Sequence, residues 1–70
     1  MMYTLKIGGK PGVVQYREES VKGKTPAKRM ARKLIRESEV ELSILIENPA
    51  GECVFEAAGD KTGITVHEDK

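Results

Sequence analysis

The sequence predicts an α+β fold in which one α-helix packs on one face of an antiparallel sheet of four to five strands. Three observations lead to this prediction. One segment repeats its apolar residues at helical spacing, and the segments on either side of it alternate apolar and polar residues at the two-residue period of strands. The chain has 70 residues, which is enough for a single domain, 1–70, in the order ββαββ(β). One helix cannot cover both faces of a sheet, so the second face should meet water or a partner.

The first two strands are predicted at 2–7 and 13–18. Tyr3, Leu5 and Ile7 share one side of the first segment, and GGKPG at 8–12 supplies a turn. In VVQYRE, the same alternation turns Val14 and Tyr16 inward. Residues 18–24 show no period and are predicted to be a loop.

The helix is predicted to begin after Thr25 and to end near Ser38. The Thr25 hydroxyl can accept an early backbone N–H group, and Pro26 suits the first helical position. The apolar side chains that follow recur at helical spacing and predict one buried face: Ala27, Met30, Ala31, Leu34 and Ile35.

The second half of the chain predicts two or three more strands. Residues 39–47 alternate strictly, with Val40, Leu42, Ile44 and Ile46 inward. After a turn at 48–51, residues 52–58 turn Cys53, Phe55 and Ala57 inward, and after a second turn residues 64–67 offer a short last strand with Ile64 and Val66 inward. The final residues, HEDK, are expected to fray.

Charge is divided between the two halves of the chain. The net charge is +1, but residues 1–36 carry +8 and residues 37–70 carry −7. Such an asymmetry concerns partners and association rather than fold.

The positive charge is concentrated on the outer face of the predicted helix. Like charges four residues apart, as in Lys28 and Arg32, cost roughly 0.2 to 0.5 kcal/mol per pair, so an uninterrupted basic face suggests a function. The predicted anion-binding residues are Lys22, Lys24, Lys28, Arg29, Arg32, Lys33 and Arg36. A nucleic acid or nucleoprotein is the expected partner, and charge reversal at Arg32 is expected to leave folding intact.

A second function class remains open, namely a protein-binding or inhibitory module. Glu39, Glu41, Glu47, Glu52 and Glu56 are expected on the outer sheet face, with Leu45 and Val54 exposed among them. This acidic surface with an apolar centre could dock on a basic protein, and its predicted binding residues are Glu41, Leu45, Val54 and Glu56. An exposed edge strand is the other surface through which such a module could act. Self-association, with the basic face of one copy on the acidic face of another, is also open.

No catalytic, metal or cofactor signature is visible, so the chain is expected not to be an enzyme. Cys53 and His67 are the only cysteine and histidine, too few for a zinc site, and we expect Cys53 in the core and His67 in solvent. A lone cysteine indicates a reducing compartment, and no apolar stretch reaches ten residues. A cytoplasmic protein with no membrane segment is expected.

The segment TPAKRMARKLIRESEVELSILIENPAGECVFE resembles the layout of small bacterial and prophage-encoded domains of the strand–strand–helix–strand–strand type. The resemblance covers about half the chain and rests on Ala27, Ala31, Leu42, Ile44 and Gly51. Some anti-CRISPR proteins share this layout, and many such domains have no assigned activity. The resemblance implies the one-helix, one-sheet fold, a phage origin and a role in blocking a partner.

Overall fold

The sheet has five strands and lies against a single helix. In the computed structural model, which describes residues 1–68, the elements are β1 (Met2–Gly9), β2 (Arg17–Lys22), α1 (Lys24–Arg36), β3 (Leu42–Glu47), β4 (Cys53–Asp60) and β5 (Gly63–Glu68). The strand order is β2-β1-β3-β4-β5, and each neighbouring pair is antiparallel. The predicted ββαββ(β) architecture of the α+β class is therefore confirmed.

The core forms where the inward positions of β1, β3 and β4 line up. Leu5 pairs with Ile46, which pairs with Phe55, so three large apolar side chains stand in one row. A second row has Ile7, Ile44 and Ala57, and α1 closes the core from above. The buried side chains are Leu5, Ile7, Ala27, Ala31, Ile35, Ile44, Ile46, Phe55 and Ala57. The alternation of the strands and the helical spacing of α1 predicted each of them.

The second strand lies four residues beyond its predicted position. β2 occupies Arg17–Lys22, most of which was predicted to be a loop, because it is an edge strand with a single partner and needs little apolar surface. Only Val21 packs against the core. Since β2 and β3 are both antiparallel to β1, they run in the same direction, and α1 crosses over β1 to join them.

Residues 13–16 were predicted as strand but belong to the loop between β1 and β2. The N–H groups of Val13 and Val14 both donate to the Lys10 carbonyl at 3.0 Å, which closes a tight turn. Tyr16 is 57% exposed instead of facing the core, and its hydroxyl donates to Glu18 Oε2 at 2.8 Å.

The helix starts at a glycine rather than at the predicted threonine cap. Gly23 is the N-cap residue, with φ of 100°, and no side chain caps the helix. Positive φ is inexpensive only for glycine, so the chain can turn from β2 directly into α1 here. The helix begins at Lys24, and Thr25 and Pro26 therefore lie inside its first turn. The C-cap residue is Glu37, one position before the predicted end.

The buried line of α1 is rotated away from the predicted stripe. Ala27, Ala31 and Ile35, four residues apart, are fully buried, whereas Met30 is 38% exposed. Lys28 and Arg32 are half-buried on the opposite flank, where the sequence predicted solvent. Two alanines let the helix approach the sheet closely, and the long stems of basic side chains can cover apolar surface.

Three further inward predictions in the second half of the chain are wrong. The ladder between β3 and β4 has an irregularity at Ile46/Glu47, where the partners step from Phe55 to Cys53, and Cys53 is exposed. Because a bulge interrupts the two-residue alternation along a strand, Cys53 does not face the core as Phe55 does. Val40, which precedes β3, and Val66, on the edge strand β5, are 42% and 36% exposed.

The last strand extends through two of the residues expected to fray. His67 and Glu68 belong to β5, and His67 is exposed as expected. The expectation for residues 69 and 70 lies outside the described residues.

Candidate polyanion-binding face

Five cations of α1 line one shallow groove on the outside of the molecule. Its lining residues are Thr25, Lys28, Arg29, Arg32, Lys33 and Arg36, and its volume is about 610 Å³. We call this set the basic groove. It contains no acidic side chain, and α1 has no acidic residue in its first turn. The structure thus brings five of the seven predicted anion-binding residues together.

Lys28 forms the inner wall of the basic groove and is tied to the sheet. Its ammonium pairs with Glu68 of β5 and lies 5.8 Å from the centre of the Phe55 ring. Desolvation, followed by the positive charges of Lys24 and Arg32, lowers the pKa of Lys28. One acidic neighbour from the sheet therefore neutralises part of the predicted basic face.

Arg32 also contacts the fold. Its guanidinium carbon lies 5.5 Å from the centre of the Phe55 ring, within the range of a cation–π interaction. Phe55 is only 1% exposed, so Arg32 and Lys28 together cover the ring where α1 leaves it open. Arg32 thus has a structural role that accounts for part of its presence on this face.

Arg29, Lys33 and Arg36 form the outer wall of the basic groove. All three are exposed, and none makes an ion pair with another of the described residues. Lys33 and Arg36 lie in the last turn of α1, where the helix dipole favours cations by roughly 0.3 to 1 kcal/mol each. Repulsion between Arg29 and Lys33 costs about 0.2 to 0.5 kcal/mol. Within residues 1–68, these three are the groove cations that have neither an ion pair nor a contact with the Phe55 ring.

The two remaining predicted residues lie apart from the basic groove. Lys24 is half-buried at the start of α1, close enough to Lys28 to affect its pKa. Lys22 is exposed near the end of β2, two residues before α1. It pairs with Met2 and is out of phase with the inward Val21, so it belongs to the sheet face that α1 does not cover. That surface is called the uncovered face below.

The uncovered face contains a broad depression that sequence analysis did not identify. Its volume is about 930 Å³, and its lining includes Gly8, Tyr16, Val40 and Leu45. The Tyr16 ring lies over Gly8: a Cβ at this position would be in van der Waals contact with Tyr16 Cδ1, at 3.8 Å. The outward positions of Gly8, Ser43 and Ala58 in the sequence alternation are the signal for this hollow.

The predicted acidic surface is only partly assembled on the uncovered face. Glu41 and Leu45 line the depression, and Glu56 is the cross-strand neighbour of Leu45. Val54, by contrast, packs against the core. Glu47 forms an ion pair with Lys6, whose Nζ lies 3.1 Å from Glu47 Oε2. This hydrogen-bonded contact raises the pKa of Lys6.

Three of the predicted acids lie in loops. Glu39 and Glu41 precede β3, and Glu52 precedes β4. The uncovered face is therefore mixed in charge, with acids and bases side by side.

Within residues 1–68, no three histidine, cysteine, aspartate or glutamate side chains converge as metal ligands would. Among the same residues, no helix has the length and apolar character needed to cross a bilayer. No protein-family model, curated protein or solved structure matches the chain. The resemblance to prophage-encoded domains accordingly stays a prediction.

Proposed function

We propose that this protein is a small, non-enzymatic binding module that engages the phosphate backbone of a nucleic acid through the basic groove. The observation that carries the proposal is the outer wall of the groove, where Arg29, Lys33 and Arg36 are exposed and make no ion pair with another of the described residues, and where the lining has no acid. A surface that served solubility alone would interleave charges of both signs, as the uncovered face does. A cytoplasmic location, where nucleic acids are accessible, is part of the proposal.

The spacing of the exposed cations suits a polyanion. Arg29 and Arg36 are seven residues apart on α1, so they span about 10 Å along the axis at 1.5 Å per residue. Each strand of duplex DNA carries a charge roughly every 3.4 Å along its axis, so about three phosphates would lie within this span. Lys33 stands between the two arginines, and Arg32 could add a fourth contact while remaining on Phe55.

The basic groove offers little means of distinguishing bases. Asparagine, glutamine and exposed aromatic side chains, which read base edges or stack on bases, are absent from its lining. Contacts from lysine and arginine to phosphates fix position without carrying sequence information. The binding should accordingly depend on charge and shape, with weak sequence preference.

The alternative, a protein-binding module acting through an acidic sheet face, has weaker support. Of its five glutamates, three lie in loops and Glu47 is paired with Lys6. Leu45 remains available at the centre of the uncovered face, but its surroundings carry both signs of charge.

The proposal is tested by measuring affinity for a duplex DNA of mixed sequence over a range of salt concentrations. With three or four phosphates contacted, the slope of log K against log salt should be about −3 to −4. A second duplex of unrelated sequence should bind with similar affinity. Binding that is insensitive to salt, or no binding at low salt, would contradict the proposal.

Two double variants distinguish binding through the basic groove from an effect of the net charge of the protein. Arg29→Glu with Lys33→Glu should weaken DNA binding at least tenfold and reduce the salt slope by about 2, since each cation contributes about 1. Lys10→Glu with Lys22→Glu changes the net charge equally, at exposed positions outside the groove. This control should keep the wild-type slope. Equal losses in the two variants would show that binding has no preferred face.

A further inference from the structure

One row of outward residues crosses all five strands of the uncovered face. The cross-strand registers place Glu18, Lys6, Leu45, Glu56 and His67 side by side, from β2 at one edge to β5 at the other. Leu45 thus stands on the central strand, β3. Lys6 and then Glu18 follow toward β2, and Glu56 and then His67 follow toward β5. The two residues beside Leu45, Lys6 on β1 and Glu56 on β4, therefore carry opposite charges on either side of β3.

A surface with this antisymmetry is complementary to itself. A two-fold axis in the plane of the uncovered face and parallel to β3 exchanges β1 with β4 and β2 with β5. Lys6 then faces Glu56 of the second copy, Glu18 faces His67, and Leu45 faces its own counterpart. We propose that the uncovered face binds a second copy of this chain, forming a symmetric dimer about this axis.

The relief of the uncovered face fits the same arrangement. The next row consists of Gly8, Ser43, Ala58 and Thr65, all of them small. The exposed Tyr16 ring rises above Gly8 on the β1 side, and the two-fold axis sets it against Ala58 and Thr65 of the second copy. A bulky side chain on one half of the face therefore meets small side chains on the other half. Such interdigitation is what packs two sheets about 10 Å apart.

The size of the face is adequate for a stable contact. The two longer dimensions of the molecule, 31 and 21 Å, limit the face to about 650 Å², so two copies would bury at most roughly 1,300 Å², and this limit lies above the ~1,000 Å² expected of a specific interface. Glu47 would approach its own counterpart across the axis, but Lys6 already neutralises it at 3.1 Å. The dimer would leave both basic grooves exposed on opposite outer sides, so it does not depend on the proposed function.

The test is the oligomeric state of reciprocal charge variants, measured by light scattering and sedimentation equilibrium without nucleic acid. The wild-type mass should rise with concentration toward twice 7.7 kDa. Lys6→Glu and Glu56→Lys should each be monomeric at the same concentrations, because each places like charges opposite one another. A mixture of the two variants should form a heterodimer, because both contacts then pair an acid with a base. Lys33→Glu, a charge reversal on α1, should leave the dimer intact.

Folding of each variant is checked by circular dichroism, since Glu at position 6 would lie beside Glu18 and near Glu47. If Lys6→Glu does not fold, Glu56→Lys and Leu45→Lys carry the test, and both should be monomeric. A wild-type protein that stays monomeric at about 100 µM overturns the proposal. So does a dimer that persists in Glu56→Lys and Leu45→Lys.

Discussion

The contact between Arg32 and the Phe55 ring should stabilise the fold, which can be measured with a double-mutant cycle. Sequence alone suggests that Arg32 is dispensable for folding, but its guanidinium carbon lies 5.5 Å from the ring centre. Cation–π interactions contribute about 0.5 to 1 kcal/mol at exposed sites and about 2 kcal/mol when desolvated. Since Arg32 is half-buried, we expect a coupling of about 0.5 to 1.5 kcal/mol.

The cycle uses Arg32→Met, Phe55→Leu and the double variant. Methionine keeps an unbranched apolar side chain and removes the charge. The cost of the cavity left by Phe55→Leu cancels in the coupling energy, because the same substitution is made with and without Arg32→Met. The free energy of unfolding is measured for all four proteins by urea denaturation. In a domain of this size, 1 kcal/mol also corresponds to about 4 to 8 °C in Tm, so thermal unfolding gives a second measurement.

A control cycle leaves Arg32 unchanged and mutates Lys33 instead. Lys33 lies on the outer wall of the basic groove and has no cation–π contact with the Phe55 ring. Lys33→Met combined with Phe55→Leu should give a coupling near zero. Distant sites add within about 0.3 to 0.5 kcal/mol, so an Arg32 coupling no larger than the control would refute the structural role. Arg32 would then belong with Arg29 and Arg36, and its presence would need a functional explanation.

Three other predictions follow from the turns and the helix–sheet contact. Gly59→Ala should lower the free energy of unfolding by at least about 3 kcal/mol, because a Cβ there would lie 2.1 Å from the Gly63 carbonyl oxygen. Gly51→Ala, where φ is also positive but the surrounding space is open, should lower it by only about 1 to 2 kcal/mol. Similar losses in the two variants would contradict the predicted clash. Ala31→Leu should lower the urea midpoint by the equivalent of about 1 to 3 kcal/mol through overpacking, and an unchanged midpoint would mean that space exists beneath α1. Hydrogen bonds from Thr62 lower the pKa of Asp60 below its ordinary value of 3.8, so this carboxylate stabilises the folded state above that pH and stops doing so as pH falls through its folded pKa. The difference in unfolding free energy between wild type and Asp60→Ala should therefore shrink on acidification. A difference that does not change with pH would contradict a stabilising role of the Asp60 carboxylate.

Sequence patterns predicted the fold well where a segment had to bury one side. The alternation of Leu42, Ile44 and Ile46 and the spacing of Ala27, Ala31 and Ile35 are set by the need to meet in one core, and both elements are confirmed. β2 was misplaced because an edge strand buries almost nothing, and the nearby VVQYRE resembled a strand more closely than REESVK does. The bulge between Cys53 and Phe55 depends on pairing with β3, which a single segment does not reveal.

The candidate site was predictable in composition but not in its division of labour. The run of cations on α1 is visible in the sequence, and the structure gathers five of them into one groove. Which of these cations contact the fold depends on the rotation of α1 over the sheet, which places Lys28 and Arg32 over the Phe55 ring. Lys22 was separated from the groove by the strand that sequence analysis took for a loop.

The position of β1 between β2 and β3 in the sheet has a consequence for the rate of folding. β3 pairs with β4, and β4 with β5, across short turns, but Thr4 must find Glu47 and Gly9 must find Leu42, 43 and 33 positions away along the chain. Closing that long loop costs entropy before any burial compensates it, so we expect this step to limit the rate. Substitutions at Leu5 or Ile46 should then slow refolding, whereas substitutions in β5 should mainly accelerate unfolding.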